Sequence, residues 1–250
     1  MLDLTRIARG TLASEPYAWA EIGGLYSPED AAALAATYPR DHFKTLSGDD
    51  GEKKYLYESR SLLGLGADTV SFPDELSDAW LELAQDLLSP EYRAAMSELT
   101  GLDVTSAPVE ANVYHYGPGS CLGPHLDMAI KRITHVLYFN DAWDPRDGGC
   151  LSILRSSNPA DTVAVVQPLV GNSAVLVRSD SSWHAVQPVV ESCRKSRRCV
   201  TVTFYSPGSV SPMWPPGDET PLHRYEDPGE AEQAPPPSWG RRLRRLFASG

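Results

Sequence analysis

Positive charge is scarce in this sequence of 250 residues, in which 22 Lys and Arg residues stand against 33 Asp and Glu residues. The formal net charge is −11, and no basic stripe precedes the last dozen residues. A protein that follows a phosphate backbone needs such a stripe. We therefore expect no nucleic acid as the main partner.

Long apolar segments are also missing. No run of about 18 apolar residues occurs, so we expect no transmembrane segment. The first residues, MLDLTRIARGTLASEPYAW, lack the apolar core of a secretory signal, and we expect a cytoplasmic protein. Four cysteines lack the C-x-x-C spacing of zinc or redox pairs and are expected to be free, mostly buried thiols: Cys121, Cys150, Cys193 and Cys199.

The first 107 residues carry helix signals. Ser27-Pro28-Glu29-Asp30 is an N-cap followed by proline and two acids, which predicts a helix over 27–39. Apolar residues at three- and four-residue intervals from Leu76 to Leu99, with a restart at Ser89-Pro90, predict a helix pair. We interpret residues 1–107 as a helical and substrate-loop region that packs on a β core.

Short β-rich runs separated by Gly, Pro and Asp fill residues 108–207. They are 111–116, 133–139, 151–154, 163–167, 174–177 and 200–205. This pattern predicts a mainly β fold with N-terminal helices, a sandwich or barrel of the jelly-roll kind.

Residues 208–250 form a proline-rich, acidic extension with too few apolar residues for a core of its own. We expect it to wrap or trail. Its basic end, Trp239 to Phe247, is compatible with a solvated tail or with a short amphipathic helix that contacts an acidic partner or membrane surface.

One histidine–carboxylate motif stands out. His125 and Asp127 are two positions apart, so an extended strand would place both on one face. His184 lies 57 positions beyond Asp127, and a jelly roll can bring a later strand beside an earlier one. Two imidazoles and a carboxylate can hold Fe(II) and leave adjacent positions open. Taken alone, the motif fits a hydrogen-bonded pair as well.

The surrounding motifs resemble the prolyl-4-hydroxylase-like branch of the 2-oxoglutarate/Fe(II) dioxygenase superfamily. The resemblance covers residues 112–205 and rests on six segments: Tyr116-Gly-Pro-Gly119, His125-Leu-Asp127, Leu137-Tyr-Phe-Asn140 with Trp143, Gly148-Gly-Cys-Leu151, Trp183-His-Ala-Val186 and Arg197-Arg-Cys-Val-Thr-Val-Thr203. It implies a double-stranded β-helix, a cupin-like jelly roll, with Fe(II) on His125, Asp127 and His184. It also implies 2-oxoglutarate and O2 as co-substrates, with ascorbate as a candidate reductant.

The resemblance assigns the far carboxylate of 2-oxoglutarate to Arg197, whose planar fork matches a carboxylate. Arg194 and Arg198 compete for this role, although strand alternation separates Arg198 from the face shared by Arg197 and Thr201. Tyr138 and Tyr116 match co-substrate and active-site positions, with an ordinary core role as the alternative. The candidate co-substrate residues are therefore Arg197, Tyr138, Tyr116 and Thr201.

Further residues follow from strand alternation. Those expected to line the pocket are Asn112, Tyr114, Thr134 and Val136. Arg178 and Asp180 are placed to reach the substrate or to form an exposed ion pair. His115 and His135 are expected to be structural.

The implied reaction is hydroxylation of an unactivated C–H in a small molecule or a peptidyl side chain, with release of succinate and CO2. The segments 44–75 and 206–225 are candidate substrate loops. Related halogenases lack the carboxylate ligand, so Asp127 disfavours that chemistry. Two alternatives stay open: a cupin-like jelly roll that binds metal or sugar without oxidation, and an inactive relative that serves as an interaction module.

Overall fold

The computed structural model describes residues 1–49 and 54–231. The α-helices found there are α1 (Leu4–Ala8), α2 (Pro28–Ala36), α3 (Asp78–Leu88), α4 (Pro90–Thr100) and α5 (Pro228–Ala231). The predicted helix pair is confirmed: Ser89 ends α3 and caps α4, where its side chain accepts a hydrogen bond from the Tyr92 N–H. Proline at position 90 cannot continue the first helix but suits the start of the second.

The same residues contain eleven β-strands. They are β1 (Trp19–Ile22), β2 (Lys44–Asp49), β3 (Lys54–Leu63), β4 (Val109–Tyr116), β5 (Cys121–His125), β6 (Lys131–Tyr138), β7 (Leu151–Leu154), β8 (Thr162–Val166), β9 (Ser173–Val177), β10 (His184–Val186) and β11 (Arg197–Tyr205). Neighbouring strands pair antiparallel in the order β1-β9-β6-β11-β4-β3-β5-β10-β7-β8, and β2 pairs antiparallel with β3.

The sheet folds over on itself, and each of its faces has its own apolar cluster. Helices α1–α4 cover the outer face of the larger half, where the alternating residues Val200, Val202 and Phe204 of β11 are buried. The opposite face packs against β7, β8 and β10 through Tyr114, Val136, Ile153 and Val186, among others. The predicted mainly β jelly roll with N-terminal helices is confirmed.

The N-terminal region also contributes strands that the sequence did not predict. Residues 44–49 and 54–63, expected as part of a substrate loop, form the paired strands β2 and β3, called the β2–β3 hairpin below, and β3 lies between β4 and β5. Half of the residues of β3, KYLYESRSLL, are polar, and three of them, Ser59, Arg60 and Ser61, lie in its buried second half. Its partners are distant in sequence, so local patterning does not reveal the pairing.

The segment that follows β11 wraps back over the N-terminal region. Lys44 pairs with Asp218, Phe43 bridges to His223, and Asp227 accepts a hydrogen bond from the Ser196 N–H. The predicted basic segment, Trp239 to Phe247, lies outside the described residues. Within the described ranges, no helix has the length and apolar content needed to cross a membrane.

Candidate active site

A cavity of about 400 Å³ lies between the two halves of the folded sheet. Its walls come from the inner faces of β4, β6 and β11, from β5 and β10 opposite, and from the β2–β3 hairpin. Pro212 and Met213, in the segment after β11, line it as well. Both segments expected as substrate loops therefore contribute to the cavity, although the first is largely a hairpin.

His125, Asp127 and His184 meet at this cavity. One candidate ligand atom from each residue lies within 4.8 Å of the other two. The pairing of β5 with β10 brings the histidines together, because His125 stands opposite His184 in the register. The sequence suggested that His125 and Asp127 share one strand. The strand β5 ends at His125, however, so Asp127 reaches the centre from the following loop.

The two imidazoles are oriented by their own backbone. Nδ1 of His125 lies 2.9 Å from the Gly123 carbonyl oxygen, and Nδ1 of His184 lies 2.9 Å from the Ser182 carbonyl oxygen. A carbonyl accepts only, so each neutral ring carries its proton on Nδ1 and its lone pair on Nε2. This arrangement is the usual support of a metal-binding histidine.

Asp127 is buried and held through both carboxylate oxygens. Lys131 Nζ lies 2.7 Å from Oδ1, and the Thr134 hydroxyl donates to Oδ2 at 2.8 Å. Burial alone would raise the pKa of Asp127, but Lys131 and the two histidines outweigh it and hold that pKa well below its usual value. The donor set is therefore two imidazole nitrogens and one ionised carboxylate, which suits Fe(II) with open coordination positions.

Arg197 lies in the same cavity, with 1% of its surface exposed. Its guanidinium sits 4.7 Å from the ring centre of Tyr116 and 5.3 Å from that of Tyr138, and Nη1 donates to the Cys199 sulfur at 2.9 Å. Two buried polar atoms here, Arg197 Nε and the Tyr138 hydroxyl oxygen, have no hydrogen-bond partner among the described residues. A bound carboxylate would satisfy both, so the residues present fit 2-oxoglutarate.

Two of the other three predicted co-substrate residues line the cavity, and the third does not. Tyr116 and Thr201 line the cavity with Arg197, as strand alternation predicted. Tyr138 is fully buried beside Arg197 and is not among the residues that line the cavity. Arg198 points to the other face and pairs with Asp227 at 2.7 Å, which separates it from the cavity.

The remaining predictions from strand alternation agree with the structure. Those that line the cavity are Asn112, Tyr114, Thr134 and Val136. Arg178 pairs with the exposed Asp180 and also donates to the Asp127 carbonyl at 3.3 Å. His115 bonds to Ser196 and Pro39, and His135 bonds to Tyr92, as expected of structural histidines.

Several cavity residues were not predicted from the sequence. Lys131 follows a turn and carries no motif, so its contact with Asp127 could not be anticipated. Glu110 begins the alternating series of Asn112 and Tyr114, but the predicted strand began one residue too late to include it. Tyr55 and Tyr57 come from the unexpected hairpin.

Comparison with known proteins identifies a family whose model matches the residues around this site. Residues 111–206 match the model of the 2OG-Fe(II) oxygenase superfamily, where 2OG is 2-oxoglutarate. No sequence among the curated proteins matches the chain.

Solved structures share the fold at low sequence identity. A prolyl-4-hydroxylase from Pseudomonas putida is 20% identical with a TM-score of 0.53, over 81% of this chain and 96% of that one. A prolyl hydroxylase from Trichoplax adhaerens, solved with a peptide of the hypoxia inducible factor, is 12% identical with a TM-score of 0.51, over 82% and 87%. An oxidoreductase of the 2OG-Fe(II) oxygenase family from Burkholderia pseudomallei is 18% identical with a TM-score of 0.52, over 75% and 84%.

Similarity of residues 111–206 to this superfamily implies Fe(II), 2-oxoglutarate and O2 as the reactive partners, and the donor set described above fits them. An oxygenase family also disfavours the alternative of a jelly roll that only binds metal or sugar. The match over residues 111–206 and the shared fold indicate a 2-oxoglutarate-dependent oxygenase, with the fold of prolyl-4-hydroxylase-like members of the 2OG-Fe(II) oxygenase superfamily.

Proposed function

We propose that this oxygenase hydroxylates an unactivated C–H of a small molecule or a peptidyl side chain. The observation that carries the proposal is the shared cavity, in which the three candidate ligand atoms lie within 4.8 Å of one another and Arg197 lines the same space. Fe(II) with 2-oxoglutarate and O2 supplies the oxidation, in which the keto acid becomes succinate and CO2 and one oxygen atom enters the substrate.

In this proposal the metal is held by His125, Asp127 and His184. Hydrogen bonds from Nδ1 to backbone carbonyls keep both rings in one tautomer, so little reorganisation is needed when a cation binds. Thr134 and Lys131 fix the orientation of the Asp127 carboxylate. Retention of a carboxylate ligand supports hydroxylation over halogenation.

Arg197 is the proposed anchor of 2-oxoglutarate. Burial removes competing water, so its ion pair with the far carboxylate would be stronger than an exposed one. Tyr138 would add a second donor, because its buried hydroxyl has no hydrogen-bond partner among the residues described. Tyr116 covers the guanidinium face and keeps it directed into the cavity.

The substrate would then enter from the side of the β2–β3 hairpin and the segment 206–218. Leu46, Tyr57 and Met213 line that part of the cavity. Trp214 fixes the second segment by donating from its indole N–H to the Asn112 side-chain oxygen at 2.7 Å. These residues would exclude water and aim one C–H at the metal.

The test is a turnover experiment under heavy-isotope O2 with Fe(II) and 2-oxoglutarate. Metabolite extracts and peptide pools are offered separately, so that small molecules and peptidyl substrates are distinguished. We expect one labelled oxygen atom in the product and one in succinate. Products without the label in both pools, despite labelled succinate, would overturn hydroxylation.

A further inference from the structure

Glu110 is a buried carboxylate in the wall of the active-site cavity. It has 1% of its surface exposed, and it lines the cavity together with Asn112 and Tyr114 of the same strand face. None of the ion pairs within the described ranges includes Glu110. A buried carboxylate without a cationic partner is costly, so such a group at a binding site is expected to serve a ligand.

The hydrogen bonds of Glu110 fix it as an acceptor. The Tyr205 hydroxyl donates to Oε2 at 3.0 Å, and the Ser211 hydroxyl donates to Oε1. Ser211 Oγ itself accepts from the Trp214 N–H at 2.8 Å, so its own proton is directed to Glu110. A carboxylate offers about four lone-pair positions, and these two donors leave the others for a ligand.

The sheet register places Glu110 near the candidate metal centre. Glu110 stands opposite Thr203, and Thr203 stands opposite Thr134, whose hydroxyl donates to Asp127. Neighbouring strands are about 4.8 Å apart, so the backbones of Glu110 and Thr134 are separated by roughly 10 Å. One substrate molecule can therefore reach both Glu110 and the candidate metal centre.

One aromatic side chain adjoins this carboxylate: the hydroxyl of Tyr205, which lines the same cavity, donates to Glu110. Tyr57 and Tyr114 line the same cavity, with ring centres 5.5 Å apart in an edge-to-face arrangement. The two cationic side chains of the cavity wall are engaged elsewhere: Lys131 bonds to Asp127, and Arg197 lies between Tyr116 and Tyr138. A carboxylate in a cavity that is also lined by tyrosine rings is a combination that binds organic cations.

We propose that the substrate carries a positively charged amine or guanidinium group, which binds at Glu110 while a carbon further along is oxidised. This inference rests on the proposed function. The charged group can belong to a free small molecule or to a lysine or arginine side chain of a peptide. Glu110 would thus be a specificity-determining residue, while the bonds from Tyr205 and Ser211 keep it in place.

The test measures binding of matched probes to the anaerobic complex with Fe(II) and 2-oxoglutarate. Lysine is compared with norleucine and arginine with citrulline, first as single amino acids with acetylated α-amines and then within short peptides. Calorimetry should show the cationic member of a pair binding about 10-fold more tightly to the wild type. Glu110→Gln should abolish the difference, whereas the exposed Glu98→Gln, with the same loss of charge, should retain it.

The variant Ser211→Ala tests whether Glu110 only anchors the loop. It removes one hydrogen bond of Glu110 but keeps the charge of the carboxylate. The preference should survive this change. Equal affinity for both members of every pair in the wild type, or an unchanged preference in Glu110→Gln, would overturn the inference. Failure of the proposed function is distinguished by the heavy-isotope experiment, which would then give labelled succinate without labelled product, whatever the binding preference.

Discussion

His125 and His184 face each other across the β5–β10 pair, with ring centres 4.3 Å apart and each Nδ1 held by a carbonyl two residues earlier. The β-sheet register brings these two rings together. The site is therefore preorganised, and binding of a divalent cation should stabilise the fold by mass action.

The first prediction concerns that stabilisation. Under anaerobic conditions, Fe(II) at about 100 times its dissociation constant should stabilise the wild type by about 2.7 kcal/mol. His125→Ala and His184→Ala should lose this response in thermal unfolding. His223→Ala is the control, since His223 pairs with Glu58 away from the cavity, and it should keep the response. An equal metal response in all four proteins would contradict the ligand assignment.

The second prediction concerns Tyr138, whose hydroxyl is buried without a hydrogen-bond partner among the described residues. Tyr138→Phe should leave the stability of the metal-free protein unchanged or slightly raised, because no hydrogen bond is lost. It should weaken 2-oxoglutarate binding about 10-fold, the effect of losing a hydrogen bond to a charged group. Calorimetric titration with 2-oxoglutarate measures this change.

Tyr38→Phe is the matched control for Tyr138. The Tyr38 hydroxyl lies 2.8 Å from the carbonyl oxygens of Tyr114 and Cys199, on the far side of the sheet. Its loss should destabilise the fold by about 1–3 kcal/mol and leave the affinity for 2-oxoglutarate unchanged. The opposite outcome, in which Tyr138→Phe destabilises and binds normally, would make Tyr138 an ordinary core residue.

The third prediction compares two neighbouring arginines on opposite faces of β11. Arg197→Lys keeps the charge but loses the planar fork, so 2-oxoglutarate affinity should fall at least about 10-fold. Arg198→Lys should disturb the pair with Asp227 and leave that affinity within about 2-fold. Comparable losses of affinity in both variants would reopen the choice between the two residues.

The fourth prediction is a pH dependence of stability that arises from Asp227. Burial alone would raise its pKa, but Arg198 and the Ser196 N–H outweigh it and lower the pKa from its ordinary 3.8. The folded state then binds fewer protons, so the contribution is complete above the ordinary pKa and is lost as the pH falls below it. Asp227→Asn should cost about 2 kcal/mol at pH 7, and less below pH 4.

Denaturant unfolding at several pH values checks this prediction. The exposed neighbour Glu226 pairs only loosely with Arg224, at 3.7 Å, and Glu226→Gln is the control. It should change the free energy of unfolding by less than about 0.5 kcal/mol. A cost for Asp227→Asn that is constant between pH 3 and pH 7 would remove the carboxylate from the explanation.

The sequence predicted those parts of the fold and site that depend on local patterns. The caps at Ser27 and Ser89 located the helices, and alternation along β11 separated the cavity residue Arg197 from Arg198. The motif around His125 and His184 indicated residues that the structure brings together, and their role as iron ligands stays a prediction.

The features that local patterns could not reveal depend on long-range pairing. The hairpin of β2 and β3 enters the sheet through partners more than 40 residues away, so Tyr55 and Tyr57 were not expected at the cavity. Lys131 reaches Asp127 only because a turn places the start of β6 beside it. Neither contact leaves a periodic trace in the sequence.

The most direct test of the central claim is the visible metal-to-ligand charge-transfer absorption of the anaerobic complex with Fe(II) and 2-oxoglutarate. This absorption requires the keto acid to chelate the iron. We predict that the wild type shows the band, that Asp127→Ala removes or weakens it, and that Arg197→Ala shifts its formation to higher 2-oxoglutarate concentrations. A wild-type protein without the band, or a band that both substitutions leave unchanged, would contradict the assignment of the metal and co-substrate sites.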